Sequence, residues 1–372
     1  MFTGLILIGI SICLYAFVML SFARGWHRIK PYKPYNVPSG NLFVSVLVPF
    51  RNEKENIKKI EDLLKKQNYP AVQYEIIFIN DHSEDGSEKK ITHGENENLL
   101  LLHLNNNQFG KKAALIEGIK KSRGDLILTT DADCSMGKNW LQTFAAYYEE
   151  HKPRMMASFV SIAHQNGIYQ RAEALELASL IASSAGSIGI KRPIMVNGAN
   201  FAYAREVISS PEKQLRQEKA SGDDIYLLLE QKRMNKNKIH FIKSKETIVT
   251  TKPQLSIKKL IHQRKRWASK TKTYRDNDIL FTAFSVFFIN LVLLITLFSG
   301  FFNLSFLLLF FLGFIVKTII DLILIAPLLN HLNNLKLLKI FPLVQFIYPF
   351  YSVLIGLISQ FSKYKWKGRT YS

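Results

Sequence analysis

The chain has 372 residues, 48% of them hydrophobic, and a formal net charge of +20 at pH 7. The basic residues cluster beside long apolar runs, which favours attraction to anionic lipid headgroups and argues against a nucleic-acid-binding protein. Cys13 lies in an apolar run and Cys134 in a polar segment, so a disulfide between them is not expected.

Three runs without charged side chains mark residues 2–22, 279–316 and 340–362 as apolar segments. A spanning helix needs about 20 apolar residues, so the first run predicts one span and the longer second run a hairpin that turns near residues 299–303. The first run lacks a basic start, and no small-residue cleavage site follows it. It is therefore interpreted as an uncleaved anchor and not as a signal peptide.

The charges beside these runs predict the topology. Basic residues follow the anchor at once, so the positive-inside rule places the polar segment in the cytoplasm. Three further spans would put the basic tail of residues 363–372 outside, against the same rule. The last run contains Pro342, Gln345 and Pro349, so we interpret it as a re-entrant or interfacial segment that keeps the tail cytoplasmic.

Two charged residues, Lys317 and Asp321, lie within the second apolar region at helical i, i+4 spacing. Charges at membrane depth usually pair with each other or face the interior of a helix bundle. A structural ion pair and the lining of a passage for a growing chain are both compatible with this pattern.

Strands and helices alternate in the polar segment. Apolar, β-branched stretches predict strands at residues 42–49, 74–80, 99–104 and 125–130, with helices at residues 52–67 and 111–121. This alternation predicts an α/β fold with a mostly parallel sheet. Ligands of such sheets bind beyond the carboxyl ends of the strands, where Pro49, Arg51, Asp81 and Asp131 fall.

Asp131 and Asp133 follow the fourth predicted strand, two positions apart. Two carboxylates in this arrangement can share a hard divalent cation, Mg²⁺ or Mn²⁺, with a diphosphate. The cation would neutralise charge on a leaving group. Taken alone, the D-x-D pattern is also typical of a solvated turn.

Other motifs accompany this pair in a fixed order. They are residues 44–53 (VSVLVPFRNE), 79–81 (IND), 83–87 (SEDGS), 110–115 (GKKAAL), 124–125 (GD), 131–133 (DAD), 197–201 (NGANF), 221–224 (SGDD) and 263–267 (QRKRW). The series resembles the family 2 glycosyltransferases with a GT-A fold, over most of the polar segment. The last motif, QxxRW, together with the apolar segments, resembles the synthases of cellulose, chitin, hyaluronan and poly-N-acetylglucosamine, and ceramide glucosyltransferase.

The resemblance implies roles for the residues on the donor side. The nucleotide pocket would be lined by Pro49, Arg51 and Glu53, and Asp81 would contact the base or ribose. The diphosphate would be contacted by Lys111. Of the acidic pair, Asp131 would contact the nucleotide side of the donor and Asp133 the metal. A simpler alternative to the diphosphate contact is that Lys111 is a solvated lysine at the start of a helix.

On the acceptor side, the resemblance implies that Asp224, beside Asp223, removes a proton from the acceptor hydroxyl. A neighbouring carboxylate raises the pKa of one member of such a pair, which suits a general base. Both residues could also simply begin a helix. The remaining acceptor and diphosphate contacts implied are Gly198, Asn200, Gln263, Arg266 and Trp267.

Residues 255–267 also form an amphipathic basic pattern, which is typical of a helix that only anchors a domain at the membrane surface.

Two departures from the family pattern stand out. Ile116 occupies a position where many relatives have Asn, and the motif at residues 197–200 lacks the aromatic residues of the cellulose synthases, which weakens an assignment to cellulose.

The apolar segments and the resemblance together predict a multi-pass protein of the cell's inner or plasma membrane that transfers a sugar from a nucleotide sugar, with UDP favoured as the nucleotide. The resemblance also implies that the transfer inverts the configuration at the anomeric carbon. A growing polysaccharide is the expected acceptor, and a membrane lipid glycosylated once is the alternative. A non-catalytic scaffold is disfavoured because the acidic residues and Trp267 are all present.

The expected organisation is an anchor (1–23), a linker (24–41), a catalytic domain (42–253), an interfacial segment (254–278), an apolar region of about three segments (279–362) and a basic tail (363–372).

Overall fold

The computed structural model describes residues 2–34, 42–92, 98–163, 165–216, 222–269, 274–361, 364–366 and 369–371. The chain forms two compact units. The first, called here the sheet unit, comprises Ile29–Ala163 and Lys191–Lys252. The second, the helical unit, comprises Met1–Arg28, His164–Ile190 and Pro253–Ser372.

The sheet unit is built around a seven-stranded sheet. Its strands are β1 (Val44–Phe50), β2 (Tyr74–Asn80), β3 (Leu99–His103), β4 (Leu126–Thr129), β6 (Met155–Ala157), β8 (Phe201–Ala204) and β9 (Ile239–Phe241). They lie in the order β3-β2-β1-β4-β8-β6-β9. The first four are parallel, whereas β8 runs antiparallel to both β4 and β6. The predicted mostly parallel α/β architecture is confirmed.

A second sheet and several α-helices complete the described part of this unit. The small sheet has the order β5-β10-β7, formed by Ser135–Met136, Val249–Thr251 and Val160–Ile162. The helices are α2 (Ile57–Lys65), α3 (Gly110–Lys121), α4 (Trp140–His151), α6 (Pro211–Gln214) and α7 (Asp223–Asn235). Every residue of β1 and β2 is buried, as expected for parallel strands covered on both faces.

The helical unit contains the apolar segments. Its helices are α1 (Phe2–Arg28), α5 (Ile168–Gly189), α8 (Ile257–Ser269), α9 (Asn277–Ser299), α10 (Leu304–His331) and α11 (Phe341–Phe361), and a hairpin of β11 (Tyr364–Trp366) and β12 (Arg369–Tyr371) follows. Within the described residues, four helical segments are long and apolar enough to cross a membrane: Phe2–Arg28, Asn277–Ser299, Leu304–His331 and Leu335–Ser359. The predicted hairpin turns between α9 and α10, where the Asn303 side chain accepts the Ser305 N–H and caps α10.

The helix α5 lies in the helical unit, although the expected boundaries include it in a continuous catalytic domain. The physical reason is its close packing on α1. A Cβ atom on Gly25 would lie 1.9 Å from the backbone oxygen of Gly186, and one on Gly189 would lie 2.1 Å from the backbone oxygen of Gly25. Only glycine permits the two helix backbones to approach this closely.

A buried polar cluster joins α1, α10 and α11. The Lys317 ammonium donates to the Asp321 carboxylate at 2.8 Å and to the Gln345 side-chain oxygen at 2.9 Å. The Gln345 amide and the Tyr15 hydroxyl also donate to Asp321. Lys317 is completely buried, so these contacts offset the cost of placing its charge among apolar helices.

The glycine contact between α1 and α5 makes a testable prediction. Gly25→Ala should destabilise the folded protein by at least about 1–3 kcal/mol, because the new methyl group meets backbone that cannot rotate away. Gly9→Ala, on the same helix, is the matched control, since its methyl group would meet nothing within 4 Å. Thermal unfolding in detergent checks both variants, and equal midpoints for the two would contradict this packing.

Candidate functional site

The parallel strands bring the residues predicted from the first four strands to one edge of the sheet. Strands β1 and β2 end in register, with Phe50 opposite Asn80, and β4 ends at Thr129. Arg51 and Asp81 follow these ends directly, and Asp131 comes two residues after β4. Pro49 lies within β1, one residue before its end.

The loop after β1 is fixed by the serine-rich segment after β2. The N–H of Asn52 donates to the Ser83 hydroxyl at 3.0 Å, and the N–H of Glu53 donates to the Ser87 hydroxyl at 2.8 Å. The side chain of Arg51 donates to the backbone oxygen of Asp81 at 3.2 Å. Because these bonds hold residues 51–56 as a loop, α2 begins at Ile57 and not at residue 52 as the sequence pattern indicates.

Asp81 is only 2% exposed and connects β2 to α3. One carboxylate oxygen accepts the Gly110 N–H at 3.1 Å, and the other lies 3.2 Å from the His82 ring nitrogen Nδ1. The His82 ring in turn lies 4.9 Å, centroid to centroid, from that of Phe109. Asp81 therefore fixes the first turn of α3, from which Lys111 projects.

Lys111 is the central cation of the site. Its ammonium lies 2.5 Å from Asp131, and its side chain is 25% exposed. Burial lowers the pKa of Lys111, but the carboxylates of Asp131, Asp223 and Asp224 outweigh burial and raise it well above the usual range. The ammonium group thus contacts Asp131 and lies within electrostatic range of the adjacent pair Asp223 and Asp224.

Asp133, the second acidic residue of the D-x-D motif, is supported by the small sheet. Its carboxylate accepts the Thr251 hydroxyl of β10 at 3.2 Å. The buried thiol of Cys134 lies close by, and burial together with the negative charges of Asp133 and Asp131 raises the pKa of that thiol. Thr251 lies far along the chain from the motif it supports, and no sequence signal identifies it.

Asp223 and Asp224 form the first turn of α7, with Gly222 at the cap in a left-handed conformation (φ 91°). The Gly198 N–H donates to Asp224 at 3.2 Å, and the Gly198 backbone oxygen accepts the Thr129 hydroxyl at 2.9 Å. Gly198 is thereby held between the end of β4 and Asp224. A Cβ atom on Gly198 would lie 3.5 Å and 3.6 Å from carboxylate oxygens of Asp224 and Asp223.

Asn200, predicted as an acceptor contact, is completely buried. Its side-chain oxygen accepts the Trp140 indole N–H at 2.9 Å, and its amide donates to the backbone oxygens of Phe159 and Thr247, both at 2.7 Å. This structure therefore gives Asn200 the geometry of a core residue that ties α4 to the strands.

The residues of the QxxRW motif lie on α8 in the helical unit. The Gln263 side-chain oxygen accepts a hydrogen bond from Arg264, and the Trp267 ring faces the same guanidinium at 4.3 Å. Arg266 lies on the same helix. The sequence pattern did not single out Arg264.

The positions of the acidic residues limit where a metal ion could bind. Among the described residues, no group of three or more His, Cys, Asp or Glu side chains is placed to hold a metal ion. Asp131 and Asp133 offer two carboxylates at the sheet edge. This donor set fits a hard cation that takes its remaining ligands from a bound group, such as a diphosphate.

Residues 45–209 match the family described as Glycosyl transferase family 2. The chain is 31% identical over 127 residues to glycosyltransferase AglE of Haloferax volcanii, which covers 34% of this chain and 41% of that relative. It is 30% identical over 110 residues to undecaprenyl-phosphate 4-deoxy-4-formamido-L-arabinose transferase of Proteus mirabilis, which covers 29% of this chain and 34% of that relative. The chain thus spans less than half the length of these curated relatives.

A solved structure shares the fold. The mannosyltransferase PcManGT from Pyrobaculum calidifontis, in complex with GDP-Man and Mn²⁺, matches with a TM-score of 0.56 at 16% identity, over 95% of this chain and 99% of that one. The match confirms the GT-A-like architecture predicted from the sequence.

The buried position of Asn200 makes a testable prediction. Asn200→Ala should lower the free energy of unfolding by roughly 2–4 kcal/mol, because it leaves the Trp140 N–H and two backbone oxygens without their buried partner. Asn197→Ala, in the same motif, removes one local bond to the Ala199 N–H and should cost less than about 1 kcal/mol. Thermal unfolding distinguishes them. A fully stable Asn200→Ala protein with a raised KM for the acceptor would instead support a binding role.

Proposed function

We propose that the chain transfers a sugar from a nucleotide-diphosphate donor, with a UDP-sugar favoured, to an acceptor carried at a membrane. The observation that carries this proposal is the ion pair of Lys111 and Asp131 at the carboxyl edge of the sheet, with Asp223 and Asp224 within electrostatic range of the same ammonium group. These residues lie within and beside residues 45–209, which match family 2. Both the electrostatics and the placement match what a diphosphate-transferring site needs.

The donor half of the site would use the residues around β1, β2 and α3. Arg51 and Glu53 would border the nucleotide, with Pro49 and Asp81 shaping the pocket behind them. Lys111 would exchange its contact with Asp131 for the donor diphosphate, since a phosphate group is the stronger competing anion. Asp131 and Asp133 would hold Mg²⁺ or Mn²⁺, which when bound would offset the charge that develops on the leaving diphosphate.

The acceptor half would use the first turn of α7. Asp224 would take the proton of the acceptor hydroxyl while that oxygen bonds to the anomeric carbon and the bond from carbon to the diphosphate oxygen breaks. One such displacement inverts the configuration at the anomeric carbon. The hydrogen bond from Gly198 supports this role because it fixes the orientation of the Asp224 carboxylate. The preference for Asp224 over Asp223 rests on the family resemblance.

The helical unit supports an acceptor in or at a lipid bilayer. Large apolar side chains remain exposed on its helices, including Phe2 at 77%, and on the turn between α9 and α10, where Phe301 is 80% and Phe302 92% exposed. Exposed apolar surface of this extent is costly in water and is covered by acyl chains in a bilayer. Leu255 and Ile257, just before and at the start of α8, are also exposed, which fits an interfacial helix.

Of the two acceptors predicted from the sequence, a membrane lipid is favoured by the polar cluster in the helical unit. A passage for a growing polysaccharide would need polar groups that face an open path. Lys317 is instead completely buried and its ammonium is used by Asp321 and Gln345. Gln263, Arg266 and Trp267 would meet the diphosphate and the acceptor from the membrane surface.

The proposed orientation follows the charge distribution. The catalytic domain, expected over residues 42–253, would lie in the cytoplasm, where nucleotide sugars are available, with the anchor crossing the inner or plasma membrane. In this arrangement Leu335–Ser359 would be the re-entrant or interfacial segment expected from the sequence, and the basic tail would stay on the same side as the catalytic domain.

The proton acceptor gives the direct test of this function. Asp224→Asn should reduce turnover by about 10²–10⁴-fold, because the amide cannot accept the acceptor proton, while donor binding stays near the wild-type value. Asp223→Asn is the matched control in the same turn and should have the smaller effect on turnover. The measurements are transfer of labelled sugar by purified protein in lipid and calorimetric binding of the donor. A larger effect from Asp223→Asn would reverse the assignment, and unchanged turnover in both would refute it.

A further inference from the structure

Arg264, the second residue of the QRKRW motif, is a buried cation. Its side chain is 6% exposed, although α8 is otherwise a basic, partly exposed helix. A buried guanidinium is stable only when its charge and its N–H groups are matched by partners. Those partners show what Arg264 does.

The charge partner of Arg264 is Glu176 on α5. The Arg264 Nε–H donates to a Glu176 carboxylate oxygen at 3.0 Å, and the Tyr351 hydroxyl of α11 donates to the same oxygen at 2.9 Å. Burial lowers the pKa of Arg264, but Glu176, Tyr351 and Glu173 together outweigh burial and raise it above the usual range. Arg264 is therefore charged, and the ion pair fixes α8 to two neighbouring helices of the helical unit.

The same guanidinium contacts two other residues of the motif. One terminal N–H donates to the Gln263 side-chain oxygen, and the guanidinium carbon lies 4.3 Å from the centre of the Trp267 ring. A planar guanidinium can stack on an indole and form hydrogen bonds at its edge at the same time. Arg264 thus connects Glu176, Gln263 and Trp267 through one rigid group.

We propose that Arg264 is a positioning residue that sets the side-chain orientation of Gln263 and Trp267, with Glu176 as its anchor. This inference rests on the proposed function, in which Gln263 and Trp267 meet the diphosphate and the acceptor. Arg264 acts through these two residues and does not itself bind a phosphate, because its charge is already matched within the protein.

Lysine cannot replace arginine in this role. A lysine at this position keeps the positive charge beside Glu176, but its ammonium is a point charge without a plane to stack on Trp267. Arg264→Lys therefore preserves the ion pair and removes the positioning. Lys265→Gln is the matched control, because among the described residues Lys265 forms no hydrogen bond or ion pair and the substitution removes one charge from the same helix.

The first test is a double-mutant cycle on turnover. Arg264→Lys should lower kcat by about 10²-fold, the loss typical of a misplaced catalytic contact, with thermal stability near wild type and Lys265→Gln unaffected. In a Trp267→Phe background the same substitution should change kcat by less than about threefold, because the residue it acts through is already altered. Full additivity of the two effects would show that Arg264 does not act through Trp267 and would overturn the inference.

The second test needs no turnover. In protein labelled with 5-fluorotryptophan, the ¹⁹F signal of Trp267 is identified by its loss in Trp267→Phe. This signal should shift in Arg264→Lys and in Glu176→Gln, and should stay in place in Lys265→Gln, while the Trp140 signal serves as the fixed reference. An unmoved Trp267 signal in Arg264→Lys would overturn the positioning role. If Arg264→Lys shifts the Trp267 signal but the wild-type protein transfers no sugar, the contact between Arg264 and Trp267 stands. The proposed function is then rejected instead.

Discussion

The ion pair between Lys111 and Asp131 is the interaction on which the candidate site depends. It joins the start of α3 to the end of β4, and the acidic turn of α7 lies within electrostatic range of the same ammonium. Within the described residues, this ammonium group faces the carboxylates of Asp131, Asp223 and Asp224, which also repel one another. Such a cluster is costly unless a further cation reduces the repulsion. A divalent ion that arrives with a diphosphate would do this, and the proposed donor chemistry follows from that constraint.

Each partner in this cluster is held by a separate support. Asp81 fixes the first turn of α3 through Gly110, Thr251 holds Asp133, and Gly198 links β4 to Asp224. Because these supports come from strand ends and tight turns, the charged groups need no flexible loop to meet. In the helical unit the same principle operates around Lys317 and Arg264, whose buried charges are each matched by carboxylates from the same unit.

The sequence predicts the elements that depend on local pattern. The four parallel strands, the helix that carries Lys111 and the hairpin of α9 and α10 are recognisable because burial on both faces or in lipid requires continuous apolar residues. The strand pattern also predicts that Arg51, Asp81 and Asp131 follow the ends of β1, β2 and β4, as they do in the structure. Ligand binding at this edge of the sheet stays a prediction.

Other features depend on long-range contacts that no local pattern records. Asn200 lies in a motif that resembles an acceptor site, yet its side chain is used by Trp140, Phe159 and Thr247, three residues distant from it in the chain. The helix α5 carries charged and small residues that look typical of a soluble domain, but its glycines pack against α1. The start of α2 shifts because the serine-rich loop, and not helix propensity, fixes residues 51–56.

The most direct measurement of the central proposal is the identity of the product formed by the purified protein in lipid bilayers. The bilayers would be incubated with labelled UDP- and GDP-sugars, with and without EDTA, and the label separated into lipid-extractable, polymeric and free fractions. The account predicts that a UDP-sugar donates label to the lipid-extractable fraction, that EDTA abolishes this transfer, and that Mg²⁺ or Mn²⁺ restores it. Label in the polymeric fraction would contradict the lipid acceptor, and full transfer in EDTA would contradict the metal-diphosphate site.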